Sequence, residues 1–134
     1  MLTALCLAGG GLASSIAATL FTLQWIHSVE RLAWQEDWRL EGDALVLVEA
    51  RIRGSGAGMD PPQGAVLRDG VWHYRTERRV AALLLSSGGS QPEYVLCAAG
   101  ECRPITAWLG GPAGDGRIEL FPCRLPPAAR TSTR

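Results

Sequence analysis

Turn-forming residues divide this chain into short apolar runs, and that division limits what it can fold into more than any other feature. The breaks fall at Gly9-Gly10-Gly11, at Glu41-Gly42-Asp43, at GSGAGMDPP from Gly54 to Pro62, at Asp69-Gly70, at SSGGSQPE before Tyr94, and at GGPAGDG from Gly110 to Gly116. Glycine supplies the positive φ that tight turns need, and proline removes a ladder donor, so none of these stretches reads as strand interior. With sixteen Gly, eight Pro and five Trp, the pattern is that of an all-β domain.

Between the breaks the residues alternate as strands do. From Thr19 to His27, Phe21, Leu23, Trp25 and His27 share one face, and Thr22, Gln24 and Ile26 share the other. Leu32 to Leu40 carries Trp34, Glu36, Trp38 and Leu40 in strand phase. Ser28 also offers a helix cap before Val29, but the tryptophans favour the strand. Ala44 to Arg53 is the clearest strand, with Val46, Val48, Ala50 and Ile52 on one face and Leu45, Leu47, Glu49, Arg51 and Arg53 on the other. Asp69-Gly70 is a two-residue hairpin signal between Ala65–Arg68 and Val71–Arg75. Further strands are expected over Val80–Leu85, Tyr94–Ala98, Cys102–Leu109 and Arg117–Arg124. Eight to ten short strands at this spacing predict a small antiparallel barrel or a two-sheet sandwich.

The chain has 134 residues, enough for one core, so residues 1–125 are expected to form a single β domain. The tail 126–134, PPAARTSTR, has too little apolar surface to offset its ordering entropy and is expected to be disordered. Thirteen basic residues balance thirteen acidic ones, which leaves no overall field to attract nucleic acid. The first charged side chain is Glu30, so the opening stretch also invites reading as an export or anchor segment, with cleavage conceivable after Ala17. No Lys or Arg precedes it, and Gly9, Gly10 and Gly11 break the run, so two strands joined by a glycine turn are expected there.

Four cysteines carry the most informative chemistry. Cys97 and Cys102 flank a four-residue loop between two expected strands, which makes a hairpin disulfide geometrically easy. Cys6 and Cys123 lie on the first and last strands, which could pair. Four cysteines allow three connectivities, and the spacing alone does not choose among them. Reduced, buried thiols are the plain alternative, and a lone C-x4-C is weak as a zinc signal. The expectation is Cys97–Cys102 and Cys6–Cys123 in the oxidised protein.

Familiar catalytic patterns are absent: there is no G-x-S-x-G, no H-E-x-x-H and no acidic cation loop. No catalytic residue, metal or cofactor is therefore assigned. The loop Gly54-Ser55-Gly56-Ala57-Gly58 could present backbone amides to an anion, but it lacks the Lys and Ser/Thr of a P-loop, and a close-packed turn is its simpler role. The densest polar segment is HSVERLAWQEDW, with His27, Ser28, Glu30 and Glu36 within ten residues. His27 and Glu36 sit in phase with Trp and Leu, so on burial they must find partners. His27, Glu36 and Glu49 are expected to converge on one side of the sheet, because consecutive strands usually pair and each residue is in phase with apolar neighbours. Arg51 lies in phase with Glu49 and could neutralise a carboxylate there, which would make the group a structural network rather than a ligand or catalytic site.

Phe21-Thr22-Leu23-x-Trp25-x-His27-Ser28-Val29-Glu30, Trp34-x-Glu36-x-Trp38, Glu49-Ala50-Arg51 and Gly54-Ser55-Gly56-Ala57-Gly58-Met59 together resemble the bacterial domain of unknown function family 1850. Leu96-Cys97-Ala98-Ala99-Gly100-x-Cys102, Pro122-Cys123 and Leu5-Cys6-Leu7-Ala8 resemble one branch of it. Many relatives have Thr-Pro where this chain has Leu32-Ala33. The family has no assigned activity, so the resemblance implies no catalytic residues. It implies a link to TAXI-type tripartite ATP-independent periplasmic transporters. From that follow a periplasmic location or a place at the periplasmic membrane face, and a transporter subunit or substrate-binding protein as partner. An accessory or binding module is thus the leading expectation. A small enzyme or metal-binding protein using His27, Glu36 and Glu49, and a purely structural domain, are the alternatives.

Overall fold

A computed structural model describes residues 2–26, 33–53, 64–88 and 92–125. Among them run eleven strands and one short helix: β1 (Leu2–Gly9), β2 (Leu12–Ile16), β3 (Leu20–Ile26), β4 (Ala33–Glu41), β5 (Ala44–Arg53), β6 (Val66–Arg68), β7 (Val71–Val80), β8 (Leu83–Ser86), β9 (Val95–Ala98), β10 (Glu101–Pro104), α1 (Ile105–Leu109) and β11 (Arg117–Leu125). They form two sheets, ordered β2-β1-β11-β8 and β10-β9-β3-β4-β5-β7-β6, in which every pairing is antiparallel. The fold is all-β and a two-sheet sandwich, not a closed barrel. Eleven strands exceed the eight to ten expected.

Between the sheets lie Leu5, Leu7, Ile118 and Leu120 from the four-stranded sheet, against Phe21, Leu23, Trp38, Leu40, Leu45, Leu47 and Leu96 from the other. Alternation carries these residues inward along each strand. Trp38 is 1% exposed and stacks its ring against that of Phe21, with centroids 6.4 Å apart. A buried aromatic of this size is worth more than any single aliphatic contact around it.

The opening stretch is built into the fold as strands. β1 sits between β2 and β11, and Ala4, Leu5 and Leu7 on it are fully buried. Cleavage after Ala17 would therefore remove an interior strand and its share of the core. The glycine turn is required by close packing: Gly10 has φ +55°, and a Cβ there would lie 2.2 Å from the backbone nitrogen of Gly114. Among the described residues no helix is long and apolar enough to cross a membrane.

Both cysteine pairs are disulfides. Cys6–Cys123 joins β1 to β11 with Cα atoms 5.8 Å apart, and Cys97–Cys102 closes the β9–β10 hairpin with Cα atoms 4.0 Å apart. No described cysteine is free. The Asp69-Gly70 hairpin also forms, with φ of 52° and 78° at its two central residues, the left-handed pair that a two-residue turn needs.

Three expectations need correction. Val80–Leu85 is not one strand: Val80 ends β7 in the seven-stranded sheet, the chain turns at Ala81 and Ala82, and Leu83 begins β8 in the other sheet. The run stays apolar because the chain crosses between two layers that both face the core. Cys102–Leu109 is not all strand either. β10 stops at Pro104, which has no N–H to extend a ladder, and α1 follows with Ile105 and Leu109 buried one turn apart. Trp108 Nε1 donates to the Leu96 carbonyl at 2.7 Å and ties this turn to β9. The third correction is a bulge in β5. Asp37 pairs with Glu49 but Trp38 pairs with Leu47, which leaves Val48 without a partner on β4. The extra residue resets the phase, so Leu45, Leu47, Ala50 and Ile52 all point the same way and are at most 3% exposed. Residues 126–134 lie outside the described residues.

Candidate functional site

At one end of the seven-stranded sheet, Ile26, Ala33, Arg53 and Val71 are successive register partners across β3, β4, β5 and β7. The candidates His27, Ser28 and Glu30, and the loop candidates Gly54, Ser55, Gly56, Ala57 and Gly58, lie outside the described residues. The described strand ends from which their segments leave, Ile26 and Arg53, flank Ala33 and so stand close together. The remaining candidates divide between the two faces of this end of the sheet.

Glu36 is on the inner face, the one turned toward the four-stranded sheet. It pairs across the ladders with Leu23 and Ala50 and lies in phase with Trp34 and Trp38. Trp38 Nε1 donates to Glu36 Oε1 at 3.1 Å. Among the described residues no cation lies within ion-pair distance of it. Burial pushes the Glu36 carboxyl up from its ordinary value, against the smaller opposing pulls of the Trp38 hydrogen bond and the Arg78 charge. Aromatic rings surround the position. Trp25 stacks on Trp34 at 5.8 Å and 18° and meets Tyr94 at 5.4 Å. On the far side, Tyr74 pairs with Ala50 and Trp72 with Ile52. Burial raises the Tyr74 and Tyr94 phenols, and the Glu36 charge adds to both shifts. Trp34 Nε1 is buried and has no hydrogen-bond partner among the described residues.

Glu49 and Arg51 are on the outer face, so the expected convergence of Glu36 with Glu49 does not occur. The reason is the Val48 bulge. Counted from Leu45 and Leu47, Glu49 belongs to the core face, but the inserted residue turns it to the side of Asp37. There the side chains form a network. Arg51 Nη1 and Nη2 donate to the two oxygens of Asp37 at 2.7 and 2.8 Å, and Nε donates to Gln35 Oε1 at 3.0 Å. Thr22 Oγ1 donates to Asp37 at 2.8 Å. Glu49 lies 3.8 Å from Arg51 and 2.9 Å from His73 Nδ1. The Arg51 hydrogen bonds hold the Asp37 carboxyl below the usual carboxylate range, and the same contact raises the guanidinium. Beside the network a groove of about 500 Å³ opens, lined in part by Gln35, Arg51, Arg53, Arg68 and His73.

Reasoning from the sequence passed over Asp37, Gln35, Thr22 and His73. Asp37 was legible, since the neighbour of an inward Glu36 on a strand must point outward. His73 was legible too, two positions beyond a Val71 fixed by the hairpin turn. Among the described residues no three His, Cys, Asp or Glu side chains gather as metal ligands.

Residues 21–105, spanning every described residue of both clusters, match the family described as Domain of unknown function (DUF1850). The chain belongs to that family. No curated protein and no solved structure matches it. The family match ends at the first residue of α1, so β11 and the Cys6–Cys123 bridge lie beyond the matched residues.

Proposed function

We propose that this member of the family is an accessory or binding module of a TAXI-type tripartite ATP-independent periplasmic transport system, working in the periplasm or at the periplasmic face of the membrane. The observation that carries the reading is the inner-face cluster. A half-buried carboxylate ringed by aromatic side chains, with a single hydrogen bond and no described cation against it, is suited to holding a partner group. None of the described groups around it is a nucleophile paired with a base, which favours binding over turnover. Two disulfides support an oxidising compartment. The transporter link rests on the family resemblance.

Affinity purification of the intact protein from its native host, with and without Glu36→Gln, tests the reading. Enrichment of a transporter subunit or substrate-binding protein that weakens in the variant supports it, and enrichment of neither sinks it. The rival reading, an enzyme or metal site that uses His27, Glu36 and Glu49 together, loses its geometry because Glu36 and Glu49 stand on opposite faces.

A further inference from the structure

The outer-face groove carries an inference of its own. Its lining gathers three guanidinium groups, Arg51, Arg53 and Arg68, in a chain whose acidic and basic residues balance. Arg51 is fixed in place. Three of its five N–H groups are committed to Asp37 and Gln35, and Glu49, at 3.8 Å, is too far to accept a fourth. Two donors on a rigid, half-buried guanidinium therefore remain for an acceptor. Arg53 and Arg68 are exposed and form no ion pair among the described residues, while Asp69 is the single acid lining the groove. His73 completes the wall, its orientation set by the contact of Nδ1 with Glu49.

We propose that this groove binds a small oxyanion, a carboxylate or phosphate group, with Arg51 as the fixed donor and Arg53 and Arg68 as the exposed arms that close on it. Planar, forked guanidinium donors match both kinds of oxyanion. The aspartate that neutralises Arg51 also removes the cost of ordering it when the ligand arrives. The site is on the opposite sheet face from Glu36 and does not depend on the transporter reading, so either can fail alone.

The test uses the intact, oxidised protein and follows the His73 ring signals by NMR at low ionic strength. Inorganic phosphate, succinate and the neutral succinamide are titrated in turn. Saturable shifts with phosphate or succinate, at a Kd below about 1 mM, and none with succinamide, are expected. The anion that saturates first tells which source the site prefers. In the variant Arg53→Gln/Arg68→Gln, whose replaced side chains are both exposed, binding should weaken about tenfold or more. Shifts that never saturate, that follow ionic strength alike for chloride and phosphate, or that survive unchanged in the variant would overturn the proposal.

Discussion

Replacing Cys6 and Cys123 together by alanine removes the bridge between the first and last strands and leaves the Cys97–Cys102 bridge intact. The two bridges span sequence separations of 117 and 5. If a bridge acts by restricting the unfolded chain, the long one contributes about 5 kcal/mol at 25 °C and the short one about 2 kcal/mol. In the native state the loss is smaller in kind, because β1 and β11 keep a continuous ladder from Leu2↔Leu125 to Ala8↔Glu119. At roughly 4 °C per kcal/mol for a domain of this size, Tm should fall by about 20 °C without the long bridge and by about 8 °C without the short one. Urea unfolding at 25 °C measures the same difference, and the m-value should rise in the Cys6/Cys123 variant because its unfolded chain expands further. A loss no greater than that of the Cys97→Ala/Cys102→Ala variant would refute the chain-entropy argument. The bridge would then act mainly through native contacts.

Other outcomes follow from the two faces of the sheet. Glu36 has a folded-state pKa above its unfolded value, so its contribution to stability is fully present below the unfolded value of about 4.5 and is lost as pH rises through the raised folded one. Glu36→Gln should flatten that part of the stability–pH curve and be neutral or stabilising at pH 7, as urea titrations across pH would read. Asp37 behaves oppositely: its contribution is present above about 3.8 and is lost as pH falls through the depressed folded value. A double-mutant cycle of Asp37→Asn with Arg51→Gln should return a coupling of about 1 kcal/mol, set by its bidentate geometry and limited by solvent at a part-exposed site. Deleting Val48 should cost at least about 3 kcal/mol, because without the bulge either Glu49 and Arg51 or Leu45 and Leu47 face the wrong side. Circular dichroism and thermal melts of the deletion variant check this, and native-like stability would mean that the phase argument is wrong.

Much of the sandwich was legible in the residues because its determinants are local. Alternation over Ala44–Arg53 and the tryptophans of Leu32–Leu40 announced β5 and β4, and Asp69-Gly70 announced the hairpin turn between β6 and β7. Both disulfides match the pairs expected from placing the cysteines on strands, although the spacing alone left three connectivities open. The features that escaped are those that local patterns do not encode. A bulge costs one residue and leaves no compositional mark at Val48, yet it moved Glu49 to the other face. The crossing at Ala81–Ala82 hides in a run that is apolar on both sides of the corner. The turn at Ile105–Leu109 is a five-residue helix held by Pro104 before it and by Gly110, at φ 106°, after it. It is too short to show a helical period. The cluster was half legible: the inward Glu36 was placed correctly by phase, but its aromatic surround includes Tyr74 and Tyr94, which come from strands and loops distant in sequence.

The pairing of Leu2 with Leu125 has a mechanical consequence. These two residues end the adjacent central strands of the smaller sheet, between β2 and β8, and are cross-linked a few residues inward by Cys6–Cys123. A pull on Leu2 and Leu125 would first load the ladder between β1 and β11 and the covalent bridge beside it. Load at the two ends of this ladder is borne by the smaller sheet, across the core from the outer-face network of Arg51 and Asp37.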